Sequence, residues 1–194
     1  MTEAAKRMYC PSCGETVDTF VMLDTEMREE FHCFVCGAVL SGETPLAVKA
    51  LEMMLVAEDS MVFREVLHDK IVERGIARQV EMADNGEEFL AKFTRRLAHD
   101  LPVSLAVLDI RMPGMNGVNA AMAMRAVEKG FGVRRPAPIL FFSSVKCDDT
   151  LKELFKRCAP ARYINKGASP SPENLADRLV EVIQRLLTES SGKK

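Results

Sequence analysis

From residue 53 onward, short apolar runs alternate with longer segments of helical period. "MMLVAED" predicts a strand ending in acids, and the segment from Ser60 repeats Phe63, Leu67 and Ile71 every fourth position, one face of a helix. "ARQVEMA" predicts a second strand, and "NGEEFLAKFTRRLAHD" a helix with Phe89, Phe93 and Leu97 on one face. "LAVLD" predicts a third strand. Turns and a helix around "VNAAMAMRAVEKG" follow; Met122 and Met124 pack this helix, and Gly130 ends it. "PILFFSS" predicts a fourth strand and "DDTLKELFKRC" a helix capped by Asp148 or Asp149. "ARYIN" predicts the fifth strand, and "PENLADRLVEVIQRLL" a closing helix with Leu175, Leu179, Val182 and Leu186 toward the sheet. This alternation predicts an α/β fold, a parallel sheet covered by helices on both faces.

The first forty-odd residues have a different texture. Cys10 and Cys13 stand in "YCPSCGE", Cys33 and Cys36 in "FHCFVCGAVL", and Gly14 and Gly37 follow the two pairs. Two C-x2-C knuckles supply four sulfurs, which satisfy tetrahedral zinc, and the segment between them has room for two short strands and a turn. The pattern resembles a zinc ribbon. With every metal position filled by protein, the Zn2+ is structural, and so small a unit needs it to fold. His32 beside this complete set is read as an exposed bystander. "AVLSGETPLAVKALEM", with Gly42 and Pro45, reads as a boundary. The expected divisions are a ribbon over 1–44, a linker over 45–52, the α/β domain over 53–188 and a polar tail over 189–194.

Composition narrows the partners. The 194 residues are 47% hydrophobic and 28% charged with net charge −2, which indicates no general affinity for nucleic acid or anionic membrane. Residues 1–44 hold three basic and eight acidic side chains, a net of −5, so the ribbon is expected to contact protein rather than phosphate backbone. No apolar run approaches the roughly 18–20 residues of a membrane span, and the N-terminus lacks the apolar core of a signal peptide. A cytoplasmic protein is expected, with its thiols reduced. Cys147 and Cys158 lack metal spacing and read as ordinary thiols. His68, His99, Arg134 and Arg135 read as surface residues.

Ligands of an open parallel sheet bind at the carboxyl ends of its strands. Those ends carry Glu58 and Asp59, then Asp109, then Ser143 and Ser144, then Lys166. Three converging carboxylates repel one another unless a hard cation lies between them, and oxygen ligands suit Mg2+. A hydroxyl and an ammonium opposite them complete a cage for phosphoryl oxygens. One carboxylate then serves as nucleophile and forms an acyl phosphate.

Residues 53 to about 188 resemble the receiver domain of bacterial two-component response regulators. The matching motifs are "LVAEDS", "VLDIRMPGMNG", "PILFFSS" and "YINKG", in the family's order. The resemblance implies a flavodoxin-like, doubly wound five-stranded sheet of order 2-1-3-4-5. It implies that Asp109 accepts a phosphoryl group from the histidine of a sensor kinase or phosphotransfer protein. Glu58, Asp59, Asp109 and the main-chain carbonyl of Arg111 would hold Mg2+. Ser143 and Lys166 would bind the phosphoryl oxygens, and Tyr163 falls at the aromatic switch position. Gly167 stands where proline is usual, so the cis peptide of that loop is not assured. Glu58 replaces the commoner aspartate, and the large, basic Arg111 is expected to shield the acyl phosphate.

The expected function is a phosphorylation-dependent switch that changes which protein it binds; apart from its own phosphorylation and slow dephosphorylation it is not an enzyme. The chain ends after its last helix, which leaves the ribbon as the candidate for output, localisation or homodimerisation. The alternatives are a transcription regulator whose ribbon touches DNA or RNA polymerase, and a phosphorylation-independent scaffold.

Overall fold

The computed structural model describes residues 7–10, 12–23, 29–33, 35–36, 38, 40, 50–167 and 171–191; side chains are described outside 20–30 and 185–191. Leu186 and most of the expected linker therefore lie outside what is described. Three strands come first: β1 (Arg7–Cys10), β2 (Glu15–Leu23) and β3 (Glu29–Cys33), an antiparallel sheet of order β1-β2-β3. The knuckle at Cys13 and Gly14 turns β1 directly back onto β2, so Cys10 pairs with Glu15. Two strands were expected between the cysteine pairs, where β2 and β3 lie, but β1 ahead of them was not. A four-residue strand that buries just one side chain, Cys10, leaves no apolar period to read.

The second sheet contains β4 (Leu51–Ala57), β5 (Ala77–Ala83), β6 (Leu105–Leu108), β7 (Ile139–Ser143) and β8 (Ala161–Asn165). It is wholly parallel, in the order β5-β4-β6-β7-β8, the doubly wound arrangement expected of it. Side chains alternate across it. Met53, Leu55 and Ala57 join one apolar cluster with Phe89, Phe93 and Met124, while Met54 and Val56 join the other with Leu67, Ile71 and Leu179. The first face is covered by α2 (Gly86–Ala98), α3 (Gly117–Gly130) and α4 (Asp149–Arg157), the second by α1 (Met61–Glu73) and α5 (Pro172–Ser191).

Side-chain caps fix where these helices start. Ser60, Asn85, Asn116 and Asp148 each accept a backbone N–H three residues on, satisfying donors the first turn leaves open. All four caps stand at the strands' carboxyl ends, so each helix begins beside the candidate site. Several details differ from expectation. The first strand starts at Leu51, inside the expected linker, and α5 runs to Ser191, inside the expected tail. Met124 is fully buried but Met122 is 40% exposed, since two positions along a helix lead to the opposite face. His32 and His68 are half-buried rather than fully exposed, whereas His99, Arg134 and Arg135 lie on the surface.

Candidate functional site

The β6–α3 connection builds the centre of the site. Ala106, Val107 and Leu108 are buried in mid-sheet, and the chain leaves the strand at Asp109, whose side chain is also buried. Asn116 caps α3 and Gly117 opens it. A Cβ on Gly117 would collide with the carbonyl of Asp109, so the helix can start this close to the acid only with glycine there.

Three polar hydrogens aim at the Asp109 carboxylate. The Ser143 hydroxyl donates to Oδ1 at 2.5 Å, the Arg111 main-chain N–H donates to the same oxygen at 2.9 Å, and Lys166 Nζ reaches Oδ2 at 2.5 Å. Ser143 is fully buried at the end of β7. Lys166 follows β8, and its main-chain N–H donates to the Ser143 carbonyl at 2.8 Å. Its ammonium lies 5.1 Å and 5.7 Å from the ring centroids of Phe63 and Phe142, which line its path into the site.

Glu58 and Asp59 stand beyond β4. The Lys166 ammonium also binds Glu58 Oε2 at 2.6 Å. Burial pushes the Glu58 carboxyl up to about 7, against the downward pull of Lys166. Asp59 is exposed. Glu58, Asp59 and Asp109 can each place a carboxylate oxygen within 4.8 Å of the others, an oxygen set suited to a hard divalent cation. A cleft of about 710 Å³ opens beside them, with Asp59, Arg111 and Pro113 on one side and Leu151 and Leu154 of α4 on the other. The Arg111 side chain donates to Ser144 Oγ at 2.6 Å across the mouth of the site.

Tyr163 lies half-buried next to this centre, stacked on Phe155 at 5.5 Å between centroids. Its hydroxyl donates to the carbonyls of Ser143, at 3.3 Å, and Val145. Burial raises its pKa, so it serves here as a neutral donor. The structure thus gathers Glu58, Asp59, Asp109, Arg111, Ser143, Tyr163 and Lys166 at one sheet edge. The Lys166–Gly167 peptide is not cis; among the described residues the cis bond is Ala159–Pro160.

The four ribbon cysteines also meet. Cys10 and Cys36 Sγ are 3.5 Å apart, Cys13 and Cys33 Sγ 3.7 Å, and all four fall within 4.8 Å of one another. Sulfurs at tetrahedral corners about 2.3 Å from a zinc ion stand about 3.8 Å apart, so the set fits such an ion. Backbone N–H groups of Cys13, Val35 and Cys36 donate to Cys10 or Cys33 sulfur at 3.4 Å. Burial pushes the Cys33 thiol up, but the N–H groups of Cys36 and Val35 and the thiols of Cys36 and Cys10 outweigh it and bring the group to about 7. Burial raises Cys10 to about 11 and also raises Cys13.

Two features escaped sequence reading. Arg125 ties two loops together at the opposite sheet edge, donating to the carbonyls of Cys158 and Ala137, and pairs with the buried Glu128 of its own helix. Arg178 of α5 lies over the Tyr9 ring of the ribbon. A cation paired with a distant aromatic leaves no linear signal.

Comparisons with known proteins give the family of the larger domain. The model of the response regulator receiver domain matches residues 54–179. The chain is 34% identical over 91 residues to the histidine kinase CKI1 of Arabidopsis thaliana, covering 43% of this chain and 8% of that protein. It is 27% identical over 148 residues to a protein-glutamate methylesterase/protein-glutamine glutaminase of Idiomarina loihiensis, covering 72% and 35%. The chain therefore spans well under two thirds of these relatives' length. Among solved structures, the receiver domain of CKI1 complexed with Mg2+ and BeF3− matches with TM-score 0.57 at 27% identity, covering 72% of this chain and 90% of that one. The response regulator domain of Thermotoga maritima CheB, 24% identical, shares the fold with TM-score 0.51 over 71% and 96%. With well over half of its length matched by the family's model, the chain belongs to the response regulator receiver domain family.

Proposed function

We propose that this protein is a phosphorylation-dependent signalling switch whose phosphoacceptor is Asp109 and whose donor is a phosphohistidine on a sensor kinase or phosphotransfer protein. What carries the reading is the convergence of Ser143 Oγ, Lys166 Nζ and the Arg111 N–H on one buried carboxylate. Transfer forms a bond from an Asp109 carboxylate oxygen to phosphorus and breaks the donor's P–N bond. The electron pair of that bond returns to the imidazole nitrogen, which takes a proton. Lys166 and Ser143 then turn from the carboxylate to the new phosphoryl oxygens, where fixed donors offset developing charge.

The carboxylates of Glu58, Asp59 and Asp109, with the Arg111 carbonyl, would hold Mg2+, which supplies charge neutralisation to the phosphoryl group. Cys10, Cys13, Cys33 and Cys36 would hold structural Zn2+. The described α5 is not long and apolar enough to cross a membrane, nor is any other described helix; we place the switch in the cytoplasm, where such donors present phosphohistidine. Ribbon and receiver divide between residue 44 and the start of β4, and the acidic ribbon faces a protein partner rather than nucleic acid.

Incubation with Mg2+ and acetyl phosphate, followed by intact-mass analysis, tests the reading. The wild type is expected to gain ~80 Da, one phosphoryl group, and Asp109→Asn to gain nothing. No addition to the wild type, or the same addition to the variant, would overturn it.

A further inference from the structure

The ribbon is seated on the receiver. The guanidinium carbon of Arg178, a buried residue of α5, lies 5.0 Å from the centroid of the Tyr9 ring, within cation–π range. Both flank Gly167, the residue after Lys166. A Cβ on Gly167 would stand 2.6 Å from Arg178 Nη1, 3.0 Å from the Tyr9 hydroxyl and 3.3 Å from the Gly14 carbonyl. Its φ of +75° is a conformation that side chains disfavour, so the backbone favours glycine there, and any side chain would displace the Arg178 and Tyr9 tips packed on it. From the other side, a Cβ on Gly14 would meet Gly167 Cα at 3.4 Å and Asn165 Oδ1 at 3.6 Å. Gly14 belongs to the first cysteine knuckle, its N–H bonded to the Cys10 carbonyl at 2.8 Å. A metal-type knuckle thus rests on the loop that carries Lys166.

Asn165 joins this contact to the site. Its Oδ1 accepts the Gly167 N–H at 2.7 Å, while its Nδ2 donates to the Tyr163 hydroxyl at 2.8 Å and to the Val145 carbonyl at 3.2 Å. Tyr163 in turn bonds the Ser143 carbonyl, and the Lys166 N–H bonds that same carbonyl. One continuous set of contacts runs from Tyr9 and Gly14, through Gly167 and Asn165, to Ser143 and Lys166, two of the three donors on Asp109.

We infer that the ribbon acts in cis as the receiver's regulatory partner, with Tyr9 and Gly14 as positioning residues for Lys166, so that ribbon docking and phosphoryl binding strengthen each other. The sign comes from the seated arrangement. With Tyr9 on Gly167, Ser143 and Lys166 both already point at Asp109 and the Tyr163 hydroxyl is held against the backbone beside them, the set of positions a phosphoryl group needs. Because coupling between two sites is reciprocal, what seats the ribbon raises affinity for the phosphoryl group, and what fills the phosphoryl site seats the ribbon. The inference rests on the receiver reading above.

Beryllofluoride with Mg2+, a stable phosphoryl mimic, tests it on the full chain loaded with zinc. Calorimetric titration is expected to show binding to the wild type and weakening by about fivefold or more in Tyr9→Ala, the lower end of measured coupling between sites. Tyr9→Phe, which keeps a ring over Arg178, is expected to stay close to wild type. Arg178→Met removes the cation from the receiver side, leaves the ribbon sequence intact, and is expected to weaken binding in the same direction. It decides the matter if Tyr9→Ala loses its zinc. Amide exchange of Met8–Val17 should slow when beryllofluoride is added to the wild type and stay unchanged in Asp109→Asn. A wild type that binds no beryllofluoride overturns the receiver reading and this inference together. Normal wild-type binding, with Arg178→Met equally tight or with no change in ribbon exchange, overturns the coupling alone.

Discussion

The five-stranded sheet buries twenty residues in the cluster on one face and seventeen in that on the other, with phenylalanines, methionines, leucines and isoleucines as the largest fully buried side chains. The ribbon's cluster holds four among the described residues, Cys10, Val17, Cys33 and Leu40, and two of these are cysteines of the metal-type set. An α/β unit with two such cores folds on apolar burial, whereas a unit as small as the ribbon, with Val17 and Leu40 as the buried aliphatic side chains among its described residues, is expected to need a metal. The difference assigns different work to the two regions. The receiver can afford buried charge at Glu58 and Asp109 because its cores carry the fold. The ribbon's described interior is half thiol, so on the proposed reading a bound ion and the seat on Gly167 would carry its stability, which would make it the region able to respond.

The sharpest way to break this comparison is to remove the metal. A strong chelator is expected to abolish the ribbon's dispersed amide signals altogether, since structural zinc contributes apparent energies of about 10–16 kcal/mol in such units, while the receiver keeps a cooperative melt. If both melt together, the comparison fails. Next in size, Phe93→Ala should cost the receiver about 3–5 kcal/mol by leaving a large cavity, whereas Val17→Ala with zinc bound should cost far less. Denaturant melts of the two variants measure the contrast.

Changing pH should drive the regions apart. Glu58 has its carboxyl raised from 4.5 to about 7 in the folded receiver, so without metal it contributes stability that is fully present below about pH 4.5 and lost as pH rises through about 7. The expected change is a few kcal/mol at most, absent in Glu58→Gln. Acid has the opposite effect on the ribbon, where protons compete with metal for thiolates such as Cys33. Parallel melts across pH 4.5–7.5 would reveal whether the two slopes have opposite sign. The smallest effect belongs to Arg111, whose side chain crosses the mouth of the site to Ser144. Arg111→Ala should release phosphate from the phosphorylated protein a few-fold faster, and an unchanged rate would remove the shielding role.

Much of the receiver is legible because its signals are local. Strands β5 and β8 occupy the spans that "ARQVEMA" and "ARYIN" predict, and acids at successive strand ends can meet only at one edge. The four cysteines are legible from spacing alone. Besides Arg125, three things were not legible, each for a physical reason. β1 buries only Cys10, so it has no apolar period. Met122 reads like Met124 by composition, yet it lies on the far side of α3. The seat of the ribbon depends on Tyr9, Gly167 and Arg178, which come together only after both regions have folded. Gly167, read in sequence as a departure from the family's proline, is explained by what packs on it.

The most direct test of the central claim is chemical identification of the phosphorylated atom. Reduction of the phosphorylated chain with borohydride converts an aspartyl phosphate to homoserine, which peptide mass analysis can place. Homoserine at position 109 alone, dependent on Mg2+ and on the phosphodonor, is the predicted result. Homoserine at position 59 or elsewhere, or none at 109 in a chain that has taken up phosphate, would contradict the account.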